Sequence, residues 1–486
     1  MFGGGTQMPS SLYTYDAVTQ TWRLPGKPSI PINPDPDPDP GTPSALPSWS
    51  DTNLPWAYAS TTEFTENWPP GQTIVNLQTG SSDFYTNLAN TVNAASGRVV
   101  IRLGVGVYHL NQFRMIGSSG KSTYAFGFWF PKLQGFLGQG ADKTFIQMDA
   151  NSVSAQQLSD MSQMDPQEFV PSQMGFCRLD GTNPSSPVLI AGVTFRAADQ
   201  QMLTSKHPNL NVVVPQPAPH QGVAIYAGSY GIVSHVRFQG AGRALNSSPP
   251  FETANITSQY ATIKWFNCEF DGRRSPELDP ARPRRCGVWM GNNETLSEFD
   301  DCWFHHSNVS RYAANDENRN TAGEYILNRC VSQQITNTQN TDPALNGGAS
   351  LGGYTNASNF GWESVNGTVT LNDCVIYVDN PYTNGQWPAH LQLTSTGSRN
   401  PQGGRLIVNG GRFRHSKFTQ IDEFVTMRIQ QSTYWWIDGF NNTITINHRN
   451  GQRLQPYQYT GSWPVSAQAL ANAGVTPATH YLIKNA

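Results

Sequence analysis

The chain has 486 residues, of which only 13% are charged, with 44 Gly, 34 Pro and a formal net charge of -3. Its length suits several ordinary domains or one elongated one; few Ala/Leu/Glu/Lys-rich stretches and much Asn, Gln, Ser and Thr make the composition all-β. The near-neutral charge excludes a general nucleic-acid or acidic-membrane footprint, and no apolar run approaches the roughly 18 residues of a membrane span.

From the start, MFGGGTQMPSS has neither the basic nor the apolar region of a secretory leader, so the expectation is a chain that is not exported and whose six cysteines are free thiols. SLYTYDAVTQTWRL (11–24) predicts two short strands around a turn, Tyr13 and Tyr15 on one arm, Trp22 and Leu24 on the other. A lone hairpin is marginal in water. Residues 1–31 are therefore read as a small attachment segment that docks on a partner or on copies of itself. INPDPDPDPGTP follows, where proline defeats helix and sheet and Asp35, Asp37 and Asp39 repel one another. Residues 32–50 are an extended spacer, about 3.1 Å per residue, and 51–486 form one large domain.

SSDFYTNLANTVNAASG (81–97) predicts a short amphipathic helix: Ser82 or Asp83 as N-cap, Phe84, Leu88 and Val92 on one face, Gly97 as stop. RVVIRLGVGVYHL (98–110) is strand-like, with Gly104 and Gly106 allowing a sharp turn. From there one phrase recurs: GVTFRAAD (192–199), HVRFQGAG (235–242), NCEFDGRR (267–274), DCWFHHSN (301–308), RCVSQQIT (329–336), DCVIYVDN (373–380) and GRFRHSKF (411–418). The markers Phe195, Phe238, Phe270, Phe304, Ile376 and Phe413 stand 43, 32, 34, 72 and 37 residues apart, and the gap of 72 holds an extra repeat at Cys330. A strand phrase every few dozen residues with variable insertions suits stacked coils of a parallel β-solenoid. The tail ALANAGVTPATHYLIKNA (469–486) predicts a short helix, a proline break and a final strand, a cap over 465–486.

The helix followed by RVVIRLGVGVYHL, then LQGFLGQGADKTFIQMDA (133–150) and the repeated phrases, resembles the right-handed parallel β-helix of the pectate-lyase superfamily over about residues 73–447. That resemblance implies that the opening helix plugs an open solenoid end. With the N-terminal element and spacer, the chain resembles bacteriophage tail proteins of the tailspike or minor-tail type. What this implies is a virion protein, assembled in the host cytoplasm, joined to other virion proteins through residues 1–31, homotrimeric, and adhering to a host-surface polysaccharide. Alternatives are a tailspike depolymerase and a capsid decoration protein.

The motifs give no transferable active site. GQGADKT (138–144) lacks the Gly-Lys-Ser/Thr of a phosphate loop and reads as a plain turn. NTDP, FDD and MRIQ stand in the wrong order for the polygalacturonase branch, and its Gly-His-Gly is missing. Cys268, Cys302, Cys330 and Cys374 occupy one position of the phrase and predict an interior column of small thiols, with Cys177 and Cys286 outside it. No metal-ligand spacing and no cofactor motif is seen. Glycosidic cleavage needs two carboxyls. Strand alternation sends Asp300 and Asp301 to opposite faces, so the catalytic candidates are Asp301 with Glu269 or Asp271 one coil earlier, set against solvated turn residues. Arg273, Arg274, Arg284 and Arg285 in DGRRSPELDPARPRRC, with Trp289 and Trp436, are candidates for binding an anionic or ring-bearing glycan.

Overall fold

The computed structural model describes residues 14–16, 21–23, 61–80, 83–110, 114–116, 124–148, 175–181, 184–197, 223–226, 230–239, 245–246, 261–271, 288–291, 295–305, 313–315, 324–335, 358–363, 368–379, 389–394, 405–415, 423–430, 443–461 and 465–485. The chain divides into two units, Met1–Ser50 and Asp51–Ala486. In the first, Thr14–Asp16 pairs antiparallel with Thr21–Arg23 and Tyr15 stands opposite Trp22, which is the hairpin expected from 11–24. The spacer at 32–50 lies outside the described residues.

The second unit is mostly strand, with few helices. Its eleven-stranded and nine-stranded sheets are parallel throughout, and over most of their length each strand bonds to the third strand before and after it in the chain. Val188–Ala191 belongs to the eleven-stranded sheet, Thr194–Ala197 to the nine-stranded, Val223–Tyr226 to a seven-stranded sheet, and Tyr230–Ser234 returns to the first. Long parallel sheets in this order fit a β-solenoid, in which each coil hides its apolar side chains only by stacking on its neighbours. In the seven-stranded sheet the end strand Arg114–Ile116 pairs antiparallel with Tyr124–Trp129.

The repeat read from sequence is a register in space. Phe195 pairs with Phe238, Phe238 with Phe270 and Phe270 with Phe304, followed by Ser332, Ile376 and Phe413 on successive strands. The four phenylalanines stack nearly parallel, with centroids 5.5, 5.6 and 4.4 Å apart. A second column faces them from the eleven-stranded sheet, where Trp265 stacks on Phe299 at 5.4 Å. The extra coil inside the long gap supplies Ser332, fully buried, whose hydroxyl has no hydrogen-bond partner among the described residues. An orphaned buried hydroxyl is destabilising, so Ser332→Ala should stabilise the protein by about 1 kcal/mol in denaturant titration; a loss of stability would show that the hydroxyl is satisfied.

The expected column of cysteines is present. Cys268, Cys302, Cys330 and Cys374 are all buried, and each Sγ donates to a carbonyl one coil earlier: Val233 at 3.4 Å, Trp265 at 3.8 Å, Phe299 at 3.5 Å and Leu327 at 3.4 Å. Burial pushes the Cys302 and Cys374 thiols up. Cys302 and Cys374 pack as small protonated side chains and not as nucleophiles, and, against its burial, their hydrogen bonds to Cys330 between them pull that thiol down. Cys177, also buried, lies in the seven-stranded sheet.

Phe84–Ala94 is the opening helix. Asp83 caps it, its Oδ2 accepting the Thr86 N–H at 2.8 Å. Phe84, Leu88 and Val92 are buried in the main core, Phe84 lying against Tyr108 and Phe128. In the turn GQGADKT, a Cβ on Gly138 would stand 2.1 Å from the Gly192 carbonyl of the next coil. Glycine there permits coil-to-coil approach, which is a structural task. At the other end Ser466 caps Ala467–Asn472, and strand His480–Asn485 joins a five-stranded parallel sheet. Leu470, Val475 and Leu482 with Phe424 and Tyr459 form a separate apolar cluster there.

Candidate functional site

The polar chemistry gathers where each strand of the eleven-stranded sheet turns into the nine-stranded one. At this corner every coil from 192 to 410 places a residue at positive φ: Gly192, His235, Asn267, Asp301, Arg329, Asp373 and Gly410, the last followed by Gly411. Glycine adopts that region freely and other residues do so at a cost. Five consecutive coils nevertheless carry a hydrogen-bonding side chain there. Asn267 Nδ2 lies 3.2 Å from His235 Nε2, and His235 Nδ1 lies 2.6 Å from Ser234 Oγ. The Arg329 guanidinium donates to both Asp301 oxygens, from Nε at 2.8 Å and Nη2 at 2.9 Å. Asp373 follows, its carboxyl raised by burial against the opposing pull of Arg329. Asp301, at 43% side-chain exposure, and Arg329, at 28%, remain reachable from solvent.

One residue earlier runs a ladder that the sequence reading missed. Asp300, Asn328, Asn372, Asn409 and Asn447 are register partners on successive strands. Asn447 donates Nδ2–H to Asn409 Oδ1 at 2.8 Å, Asn409 to Asn372 at 2.8 Å, Asn372 to Asn328 at 2.8 Å, and Asn328 to Asp300 Oδ1 at 2.9 Å. An amide carries both a donor and acceptors, so it continues such a chain indefinitely. A carboxyl ends it, and on the coil before Asp300 the position is Phe266, which offers no side-chain acceptor. The signal was legible as N/D-x-C in DDC, NRC and NDC. Burial, then Glu298, push the Asp300 carboxyl up to about 7, with Asn328 and Arg329 opposing and Asp301 adding to the rise.

This geometry corrects the expectation that Asp300 and Asp301 face apart. The strand ends at Asp300, and Asp301 is a left-handed corner residue with φ 54°. Strand alternation does not apply across that corner, and one guanidinium, Arg329, reaches Asp301 at 2.8 Å and Asp300 at 3.5 Å.

Glu269 sits elsewhere, on strand Glu269–Asp271 of the nine-stranded sheet. Its register partner one coil on is Trp303, while the corner counterpart of Asp301 one coil earlier is Asn267. Glu269 is fully buried and accepts from Arg237 Nε at 2.7 Å, with Arg237 also buried. Asp271 lies two residues along the same strand. Only the backbone of Asp271 and of Trp289, on strand Val288–Gly291, is described. Arg273, Arg274, Arg284, Arg285 and Trp436 lie outside the described residues.

Among the described residues no group of three or more His, Cys, Asp or Glu side chains is arranged to hold a metal ion, and no helix is long and apolar enough to cross a membrane. No family model, no curated protein and no solved structure matches the chain.

Proposed function

We propose that this chain is a bacteriophage virion protein of the tail, whose second unit is a right-handed parallel β-helix of pectate-lyase type that adheres to a host-surface polysaccharide. Residues 1–31 join it to other virion proteins, 32–50 hold the solenoid away from the attachment point, and the working form is a homotrimer. The observation that carries the reading is the corner line of Asn267, Asp301, Arg329 and Asp373 on successive coils. In-register strands repeat at about 4.8 Å, so these donors and acceptors form an evenly spaced row. A row suits an extended polymer that makes many weak polar contacts, each adding to the others through linkage. The unglycine-like residues held at positive φ favour a role beyond turning the chain, because glycine would turn it at lower cost.

The test is incubation of the purified protein with host wall polysaccharide, scoring retention and chain shortening together. Retention without shortening is the expected result. Shortening would establish the depolymerase instead, and neither would leave a structural part of the particle. Arg329→Gly supplies the residue that suits the corner backbone while deleting the guanidinium. It should weaken retention roughly tenfold, about 1.4 kcal/mol, with the fold kept; unchanged retention would remove the corner line from the binding surface.

A further inference from the structure

The corner line ends on a change of charge. Arg329 is already engaged, its Nε and Nη2 donating to the two Asp301 oxygens at 2.8 and 2.9 Å. Asp373 on the next coil is exposed. Its carboxylate accepts no hydrogen bond among the described residues, and the one cation that acts on it is Arg329. Then comes Gly410. A Cβ built there would stand 2.5 Å from Asp373 Oδ1 and 3.6 Å from the Cα of Arg449 on the coil beyond. The glycine is thus a gap with a carboxylate on one side and Arg449 on the other. Arg449 is exposed, and its backbone is set by a tight turn in which the Gly451 N–H donates to the His448 carbonyl at 2.8 Å. Arg412, two residues after Gly410, is exposed as well. Neither arginine has an ion pair among the described residues, so opposite charges flank the gap without neutralising each other.

The backbone does not demand glycine at this place. Asn267, Asp301, Arg329 and Asp373 occupy the same corner on four coils at φ between 48° and 54°, and Gly410 stands at 65°. Packing does not demand it either, because the nearest atom is the free end of a carboxylate side chain. What glycine adds is room. We infer that the gap at Gly410 is the specificity-determining subsite of the corner line, and that it takes a sugar carrying both an amino and a carboxyl group: the ammonium meets Asp373, and the carboxylate meets Arg449, with Arg412 as the second cation. This rests on the reading of the corner line as the adhesive surface and adds to it the class of polymer. A purely acidic chain would be repelled by Asp373 and would find Arg329 taken; a chain bearing only amines would meet Arg449 and Arg412. A zwitterionic unit satisfies both signs through charge-assisted hydrogen bonds. Exposed pairs of this kind are screened and each contributes little, so selection comes from the two acting together.

The test measures retention of host wall polysaccharide by the full chain, with the polymer untreated, N-acetylated to remove its ammonium charge, or carbodiimide-activated and borohydride-reduced to turn its carboxylates into alcohols. Each treatment should lower retention by up to roughly fivefold at low salt. Asp373→Asn should abolish the effect of N-acetylation and keep that of carboxyl reduction, and Arg449→Gln should do the reverse; asparagine also suits the positive φ at position 373. Retention of the untreated polymer that is indifferent to either treatment overturns the subsite and leaves adhesion standing. No retention of the untreated polymer removes the adhesive reading itself, and the subsite with it. The arms with treated polymer use the wild-type protein, so the outcome does not depend on whether the variants fold.

Discussion

Glu269→Ala should destabilise the protein by about 3–5 kcal/mol, because it leaves the Arg237 guanidinium buried without its counter-ion. The pair is fully enclosed, with side-chain exposures of 5% and 0% and a contact of 2.7 Å, and in-register strands carry the two residues. Arg237 Nη2 already has no partner among the described residues, so removing Glu269 deprives that guanidinium of its ion-pair partner. The attraction alone overstates what the pair contributes, since both ions were desolvated to form it. Replacing both residues with methionine should therefore recover most of the loss. Chemical denaturation of the single and double variants measures this. The same substitution separates two roles for Glu269: a structural ion pair shifts the unfolding midpoint, while a catalytic carboxyl of the rival depolymerase would abolish glycan shortening with stability unchanged.

Phe270→Ala should cost a comparable about 3–5 kcal/mol. Phe270 is the centre of the aromatic core, 4.4 Å from Phe304, 5.6 Å from Phe238, 5.5 Å from Trp265 and 6.2 Å from Phe299 between ring centroids. Truncation opens a void bounded by four rings, each held by its own strand and unable to collapse inward. Phe413→Ala, at the last strand of the nine-stranded sheet, should cost less, since its column continues on one side only. Hydrogen exchange should place the Phe270→Ala opening in the coils from 230 to 305, because coils of a solenoid support only their neighbours. A void that destabilised all coils equally would contradict nearest-neighbour stacking.

The columns of Phe195, Phe238, Phe270 and Phe304 and of the four cysteines were readable because interior positions of stacked coils must repeat their size and polarity. The irregular gaps did not hide them, since insertions between strands leave register untouched. The cap at Asp83 was readable for a local reason: a side-chain oxygen answers a backbone N–H within one turn. What failed was the rule of alternation at Asp300 and Asp301. That rule assumes extended backbone at every residue, and the corner at Asp301 breaks it with a positive φ. Glu269 stands on the strand beyond its own corner residue, Asn267, and meets Arg237, a placement that depends on the turn before its strand. The asparagine ladder was present in the letters, but Asn in a chain so rich in Asn, Ser and Thr does not stand out until strands are aligned.

The three-residue string with which Thr295–Asp300, Glu324–Asn328 and Thr368–Asn372 run into the next strand, Asn or Asp, then a corner residue, then Cys, marks the register of these three coils. A coil that docked one residue out of place would put the charged corner residue, or the larger residue after the cysteine, into the thiol's narrow buried slot. It would also force an ordinary residue to positive φ and leave a ladder partner without its donor. Three penalties of different physical origin then fall on a single slip, where an ordinary strand with one apolar face risks only misplaced hydrophobic contacts. For a chain whose coils are otherwise similar enough to be confused with one another, such marks tell each arriving coil where to stop.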